Sequence, residues 1–347
     1  MDAFLKENKL DHLCDALATS LTLQESLTVL DQGRPKLLEK LKELGVTKIP
    51  DRQAFAKAVS NQRRNILGAG APVVVCMYSA GVNKQTGRSL MSKLLSACSD
   101  AGLPDQIVLD HHNEAPYDVH TSFDAYIDAL YDTVIAEKPD RATRPWVLLA
   151  HSHGATGTYG LARKLGPKVR ALVVIGRRAP HVELLDDVLG VSTGQQVGEM
   201  GLRDVAQRIG AVYSNQALEA GTASADEAKW APSFLEVANI IRAQYASACS
   251  LCAADAIAAY MGTPDALPAH AKLPAPILAI SSTRETPQGE TRVKVERWAE
   301  LTTGAFRLDA VDCDHMAMPN DERCVQMTLE FLKPAIDESR AADPTNR

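Results

Sequence analysis

The residues with the clearest chemical potential lie in the stretch WVLLAHSHGATG, residues 146–157, where an apolar run ends at Ser152. Ala150 stands two positions before this serine, and Gly154 stands two positions after it. Small residues at those places are typical of a nucleophile elbow, a sharp strand-to-helix turn that presents a serine hydroxyl. The pattern therefore predicts a nucleophilic serine. The alternative is a serine that only caps the following helix through its hydroxyl.

A nucleophilic serine needs a base, and the base needs a carboxylate that orients it. His315 follows the last predicted strand, in AFRLDAVDCDHMAM, which suits the chain order serine, acid, histidine of α/β-hydrolases. The acid is expected in the loop TRETPQGE, residues 283–290. Glu285 is the best placed carboxylate and Glu290 is less well placed. Asp312, close to the histidine in sequence, is an alternative.

An oxyanion hole needs two backbone N–H groups that converge on the developing negative charge. The residue after the nucleophile, His153, is expected to supply one of them. The loop MYSAGVN after the first predicted strand should supply the other, from Ala80 or alternatively Ser79, while Gly81 lets the backbone approach the substrate. His151 is expected to be structural, because side chains next to an elbow serine point away from its oxygen.

A second group of polar residues follows an earlier predicted strand, in the stretch LDHHNEAPY. His111 and His112 suit the rim of a pocket. With Asp110 and Glu114 nearby, a metal site is an alternative interpretation of the same residues.

The elements that must position these residues begin near residue 72, where near-continuous apolar runs alternate with amphipathic helical segments. This alternation predicts a mostly parallel sheet with helices on both faces. The pattern breaks over about 182–270, which is mostly helical, and then resumes. An insertion at that place would lie above the active site as a lid. The predicted fold class is therefore α/β, an α/β-hydrolase fold spanning 66–335.

The first 65 residues show helical patterning and predict a small all-helical domain ahead of the hydrolase domain. Thr22 and Glu25 have the spacing of a capping box, and Leu37 and Leu41 lie on one helical stripe. The stretch NQRRNILGAGAP, residues 61–72, is expected to be a linker. The last predicted helix runs near 320–333, and residues 336–347 are expected to form a tail.

Composition limits the remaining possibilities. The net charge of −6 provides no basic field for nucleic acid, and no apolar run approaches a membrane span of roughly 20 residues. Seven cysteines at irregular positions favour reduced thiols, with Cys249 and Cys252 forming a lone CxxC. The charged N-terminal stretch has no apolar signal core. We therefore expect a soluble, cytoplasmic protein.

Three short motifs carry a family resemblance: CMYSAG at 76–81, AHSHG at 150–154 and IGRRAPH at 175–181. The chain from about 72 to 333 resembles the type II (editing) thioesterases of polyketide and nonribosomal peptide synthesis, in the α/β-hydrolase superfamily. The GRRAPH match is the most specific of the three. In the first domain, the run LLEKLKELGV (37–46) with DRQAFAKAV (51–59) resembles the end of a SAM domain, which implies a protein partner or self-association. A helical appendage packed on the main domain is the alternative.

The resemblance implies hydrolysis of acyl thioesters on the phosphopantetheine arm of acyl or peptidyl carrier proteins. It implies Ser152 as nucleophile and His315 as base, with no metal or bound cofactor. Arg177 and Arg178 would attract the phosphate of that arm or acidic helices of the carrier protein. Their alternative role is structural ion pairing. The apolar segments VANII (237–241) and AAYMG (258–262) would line an acyl tunnel or form the core of the lid.

One departure from the family pattern bears on activity. The family's acid lies in a GGxDD-like turn, whereas this chain has SSTRE, so Arg284 and Glu285 stand where aspartates are expected. This departure leaves two alternatives to the thioesterase interpretation. One is a catalytically weakened hydrolase fold that acts as a scaffold through its helical domain. The other is an esterase acting on oxygen esters.

Overall fold

The chain forms two compact units, one of Met1–Ala71 with Asp337–Arg347 and the other of Pro72–Ile336. The computed structural model describes residues 1–17, 20–31, 34–68, 71–79, 84–109, 123–182, 189–191, 194–213, 215–252 and 271–341. Within these residues, no helix is both long and apolar enough to cross a membrane.

The first unit is helical. The helices of its N-terminal part are α1 (Asp2–Glu7), α2 (Cys14–Leu17), α3 (Leu23–Asp31), α4 (Arg34–Glu43) and α5 (Ile49–Gly68), with a 3-10 turn at Asp11–Leu13. The predicted capping box is confirmed at the start of α3, where Thr22 Oγ1 accepts from the Glu25 N–H and Glu25 Oε2 accepts from the Thr22 N–H. Leu37 and Leu41 are fully buried, as their spacing predicts. The SAM-like character of this unit stays a prediction.

The predicted linker at 61–72 is wrong over most of its length. Helix α5 continues through residue 61 as far as Gly68, because no glycine or proline interrupts the segment before that residue. The last predicted helix is also longer than its pattern indicated. It runs over Glu322–Ala341, so residues 337–341 of the expected tail are helical.

The second unit is built on a six-stranded sheet in the order β2-β1-β3-β4-β5-β6, with all neighbouring strands parallel. The strands are β1 (Val73–Met77), β2 (Gln106–Leu109), β3 (Trp146–His151), β4 (Val169–Ile175), β5 (Ile277–Ser282) and β6 (Phe306–Val311). The expected α/β-hydrolase sheet is confirmed. Because all strands point the same way, the loops that follow them meet at one edge.

Both faces of the sheet are covered, which explains the continuous apolar runs in the sequence. In β1 every residue is buried, with Val73 and Val75 in one hydrophobic core and Val74 and Cys76 in another. Successive side chains of a strand point to opposite faces, so a strand covered on both sides must be apolar throughout.

The helices of the second unit fall into two groups. Those flanking the sheet are α6 (Lys84–Leu90), α7 (Ser92–Asp100), α8 (Phe123–Glu137), α9 (Gly154–Leu165), α14 (Arg292–Glu296) and α15 (Glu322–Ala341), of which the residues from Asp337 onward belong to the first unit. Between β4 and β5 lie α10 (Gly194–Glu199), α11 (Leu202–Val212), α12 (Gln216–Gly221) and α13 (Pro232–Cys252). We call α10–α13 the lid helices. They share a hydrophobic core that includes Val205, Ile209 and Tyr245. The role of the insertion at 182–270 as a lid stays a prediction.

Candidate active site

Ser152 occupies a sharp turn between β3 and α9. Its φ of 51° lies in the left-handed region that non-glycine residues rarely adopt, and its N–H donates to the Ile175 carbonyl at 2.8 Å. Gly154 permits this turn, because a Cβ there would stand 2.6 Å from the backbone carbonyl of Met77 in β1. The elbow pattern requires a small residue at position 154 because any larger one would collide with the neighbouring strand β1.

Three side chains from three separate loops form one hydrogen-bonded chain. Ser152 Oγ lies 2.9 Å from Nε2 of His315, and Nδ1 of His315 lies 2.6 Å from Oε1 of Glu285. The side chains of His315 and Glu285 are each only 4% exposed. A neutral imidazole in this arrangement donates its Nδ1–H to the carboxylate and accepts the serine proton at Nε2.

Space for this array comes from two glycines that lie against it. At Gly176, which has a φ of 61°, a Cβ would stand 3.2 Å from Cε1 of His315. At Gly289, a Cβ would stand 2.6 Å from Oε2 of Glu285. A side chain at Gly289 would therefore displace the carboxylate, and one at Gly176 would crowd Sδ of Met318, 2.9 Å away, together with the imidazole.

The structure distinguishes among the carboxylates that the sequence offered as acids. Asp312 is 75% exposed and pairs with Arg284 at 3.0 Å, away from the imidazole nitrogens that contact Ser152 and Glu285. Its pKa is lowered by the hydrogen bond from Arg284 and then by that from Thr283. Asp312, the alternative acid, therefore does not contact His315 in this structure.

Glu290 is buried and binds the two arginines of the GRRAPH motif. Its Oε1 lies 3.2 Å from Nη1 of Arg177, and its Oε2 accepts from Nε of Arg178 at 3.0 Å and from the Arg178 N–H at 2.7 Å. Burial would raise the pKa of Glu290, but the two guanidinium charges and the backbone hydrogen bond bring it to about 2. Glu290 is therefore held as a carboxylate.

This ion pair corrects the prediction that Arg177 and Arg178 bind substrate. Their side chains are 1% and 0% exposed, and their contacts include Glu290 and the backbone of the 285–290 loop. Both guanidinium groups are thus buried against a carboxylate, and separating them from it would leave that charge unpaired. The alternative that the sequence left open, structural pairing, describes their position.

His151 packs beside the candidate base, with its ring centroid 5.1 Å from that of His315. Its Nε2 lies 2.9 Å from the backbone carbonyl of His315. A carbonyl can only accept, so Nε2 carries the proton. Burial, and then the neighbouring imidazole, lowers the pKa of His151 to about 3. His151 is therefore a neutral donor that holds the backbone of His315, which agrees with its expected structural role.

The predicted oxyanion donors are placed in part. His153 stands at the N-terminal end of α9, directly after Ser152, and its ring packs on Tyr245 with centroids 5.0 Å apart. Ser79 is buried and lines the cavity beside the catalytic candidates.

Other predicted site residues lie outside the described part of the chain. They are Ala80 and Gly81 of the oxyanion loop, and the candidates for a metal site: Asp110, His111, His112 and Glu114. Cys249 and Cys252 lie in the last turns of α13, and their side chains are outside the described part.

An apolar cavity of about 250 Å³ opens onto Ser152 and His315. The lid helices supply most of its wall, through Ile209, Leu218, Phe234, Val237 and Ile241 among others. Two residues of the VANII segment therefore line the cavity, while Ala238 and Ile240 of the same segment are buried and Ala238 lies in the lid core. The AAYMG segment lies outside the described residues.

Sequence reasoning missed Tyr213, which follows α11 and packs its ring on His315, with centroids 4.6 Å apart. It also missed Gly176 as a residue that makes room for the imidazole. The glycine was visible within the GRRAPH match, whereas a tyrosine in a helical insertion carries no signal of its own.

The parallel sheet, the strained serine between β3 and α9, and the histidine after β6 define an α/β-hydrolase fold with a serine-centred candidate site. A family model described as a thioesterase domain matches residues 101–335. The chain belongs to the thioesterase domain family, and the predicted thioesterase identity is confirmed at that level.

Two solved thioesterase structures are similar to this chain, and the first of them, RedJ, shows the same fold. RedJ, a thioesterase from the prodiginine biosynthetic pathway in Streptomyces coelicolor, is 20% identical with a TM-score of 0.52, covering 78% of this chain and 92% of that chain. BorB, a type II thioesterase from the borrelidin biosynthetic cluster, is 19% identical with a TM-score of 0.48, covering 76% and 92%. No curated protein matches the chain significantly.

Proposed function

We propose that this protein is a type II thioesterase that hydrolyses acyl groups from the phosphopantetheine arm of an acyl or peptidyl carrier protein. Ser152 is the nucleophile, His315 the base and Glu285 the acid that orients the base. The phosphopantetheine belongs to the substrate, and the reaction needs no metal or bound cofactor. The partner is the carrier protein of a polyketide, nonribosomal peptide or fatty acid synthase.

In the proposed mechanism His315 takes the Ser152 proton while the hydroxyl oxygen attacks the thioester carbonyl. The N–H of His153, with that of Ala80 or alternatively Ser79, stabilises the tetrahedral oxyanion. The carbon–sulfur bond breaks, and the imidazolium protonates the leaving thiolate. Water then gives a proton to the same imidazole and attacks the acyl-serine. The bond between Ser152 Oγ and the acyl carbon breaks, the imidazolium returns the proton to Ser152, and the free acid leaves.

The single observation that supports this proposal most strongly is the Ser152–His315–Glu285 chain, which opens into an apolar cavity within a thioesterase domain. The cavity walls suit an acyl chain. The scaffold alternative depended on the missing aspartate turn and on the extra helical domain, and it loses the first of these because Glu285 contacts Nδ1 of His315.

The proposed compartment is the cytoplasm. Five described cysteines, Cys14, Cys76, Cys98, Cys313 and Cys324, are free thiols. Free thiols persist where glutathione and thioredoxin keep the compartment reducing.

The test compares three substrates: an acyl-CoA, an acyl-carrier protein and a p-nitrophenyl ester of the same acyl group. We expect wild type to cleave both thioesters, and Ser152→Ala to lose at least about 10³-fold in kcat. Ser96→Ala, an exposed serine in α7, is the matched control and should retain wild-type rates. If wild type equals Ser152→Ala on all three substrates, the protein is a scaffold. Cleavage of the oxygen ester alone would make it an esterase.

A further inference from the structure

The end of lid helix α11 reaches the candidate base. Tyr213, the residue after that helix, packs its ring against the imidazole of His315, with centroids 4.6 Å apart and planes 36° apart. Tyr213 also lines the cavity that opens onto Ser152. A lid side chain therefore touches the group that is proposed to move the proton.

The same end of the lid is fixed to the loop that carries the acid. The Tyr213 hydroxyl donates to Oε1 of Glu290 at 3.0 Å and accepts from Nη1 of Arg177 at 3.2 Å. One residue earlier, the Val212 carbonyl accepts from Thr286 Oγ1 at 2.6 Å. Since Glu285 belongs to this 285–290 loop, displacing α11 would disturb the carboxylate as well as the imidazole.

Several groups surround the imidazole of His315. Glu285 faces Nδ1, Ser152 faces Nε2, and the rings of His151 and Tyr213 pack against it. The charge of Glu290 acts from the loop behind Tyr213 and is largely balanced by Arg177 and Arg178.

Tyr213 contributes to this environment as a neutral aromatic group. The neighbouring His151 is neutral, so it places no positive charge beside the imidazolium of His315 that Tyr213 contacts. Burial raises the pKa of Tyr213 well above its ordinary value, so the hydroxyl stays protonated and can donate to Glu290. An electron-rich ring close to an imidazolium favours the protonated form.

We propose that Tyr213 is a positioning residue that couples closure of the lid to the competence of His315. Its ring steadies the imidazolium that forms during proton transfer, and its hydroxyl anchors α11 to Glu290. Opening of the lid removes both effects together, so the base is fully competent only when the cavity is closed. This inference rests on the proposed role of His315 as base.

Two variants distinguish the role of the Tyr213 ring from that of its hydroxyl: Tyr213→Leu removes both groups, and Tyr213→Phe removes only the hydroxyl. Tyr131→Phe is the matched control, because Tyr131 stacks on Trp146 away from the site. The first readout is the rate of Ser152 labelling by a fluorophosphonate across pH. The second is amide hydrogen exchange in the peptide 202–213. Thermal unfolding establishes that each variant is folded.

For Tyr213→Leu we expect the maximal labelling rate to fall about threefold to tenfold. The pH of half-maximal labelling should fall by about half a unit, because the imidazolium has lost a favourable neighbour. Tyr213→Phe keeps the ring and should keep that midpoint, while exchange in 202–213 becomes at least about fivefold faster because the Glu290 anchor is gone. Tyr131→Phe should change neither readout.

A folded Tyr213→Leu variant with the wild-type midpoint and rate would overturn the role of the ring. Unchanged exchange in Tyr213→Phe would overturn the coupling to the lid. Failure of the proposed function gives a different result, since wild type would then label no faster than Ser152→Ala. The labelling reaction does not depend on whether the natural substrate is a thioester or an oxygen ester.

Discussion

Replacing Glu285 by glutamine tests the part of the site where this chain departs most from its family pattern. The carboxylate contacts Nδ1 of His315 at 2.6 Å, and both side chains are 4% exposed, so solvent screens their interaction weakly. Glutamine keeps the shape and removes the charge. It can also turn its NH₂ toward Nδ1, which would favour the wrong imidazole tautomer.

The expected loss follows from the charge that forms in the transition state. Imidazolium and carboxylate centres about 4 Å apart interact by about 4 kcal/mol at an effective dielectric constant near 20. At about 1.4 kcal/mol for each factor of ten, this corresponds to a fall in kcat of about 10³. KM should change little, because the lost interaction strengthens only as the proton moves.

The assay follows release of free thiol from an acyl-CoA at saturating substrate, with thermal unfolding to establish that the variant is folded. Asp312→Asn is the matched control, because that carboxylate is 75% exposed and pairs with Arg284. It should retain wild-type turnover. A Glu285→Gln variant within tenfold of wild type would refute the reasoning, and a large loss in Asp312→Asn instead would move the acid to that residue.

Two further predictions concern the framework of the site. Glu290→Gln should destabilise the fold by about 3–5 kcal/mol at pH 7, because two buried guanidinium charges lose their carboxylate. The pKa of Glu290 is depressed to about 2. Its stabilising contribution is therefore complete above the pKa of the unfolded chain, near 4.5, and disappears as pH falls toward 2. The free energies of unfolding of variant and wild type, measured with denaturant, should converge over that pH window. Gly154→Ala should cost about 1–3 kcal/mol and slow Ser152 labelling, because its Cβ would meet the Met77 backbone at 2.6 Å. In Gly166→Ala, where φ is 56° and a Cβ would meet nothing within 4 Å, labelling should stay normal although some stability is lost. Equal labelling rates in the two glycine variants would contradict the steric explanation.

The sequence identified Ser152 and His315, and it named Glu285 ahead of Asp312 as the acid. Ser152, Glu285 and His315 each follow a strand of a parallel sheet, and the loops after parallel strands meet at one edge. Their proximity is therefore a consequence of topology, which apolar periodicity reveals. The choice between Glu285 and Asp312 could not be made in this way, because both lie near the same edge and differ only in the direction of their side chains.

The arginines of the GRRAPH motif show where such reasoning fails. The sequence leaves two roles open for Arg177 and Arg178, attraction of the substrate's phosphate or structural ion pairing, because nothing near them in sequence shows a partner. Their partner, Glu290, is more than a hundred positions away in sequence, and no local pattern relates the two segments. Tyr213 was missed for the same reason. Contacts between the lid and the 285–290 loop depend on how the inserted helices pack, which their amphipathic pattern leaves undetermined.

The glutamate at position 285 and the glycine at position 289 are best understood together. A glutamate places its carboxylate one methylene farther from the backbone than the aspartate expected from the family pattern, so the loop must leave more room. Gly289 supplies it, since a Cβ there would stand 2.6 Å from Oε2 of Glu285. The φ of Gly289 lies outside the left-handed region, so the backbone itself does not require glycine. The absent side chain is therefore explained by space for the longer acid, and the departure at Glu285 is accommodated within its own loop.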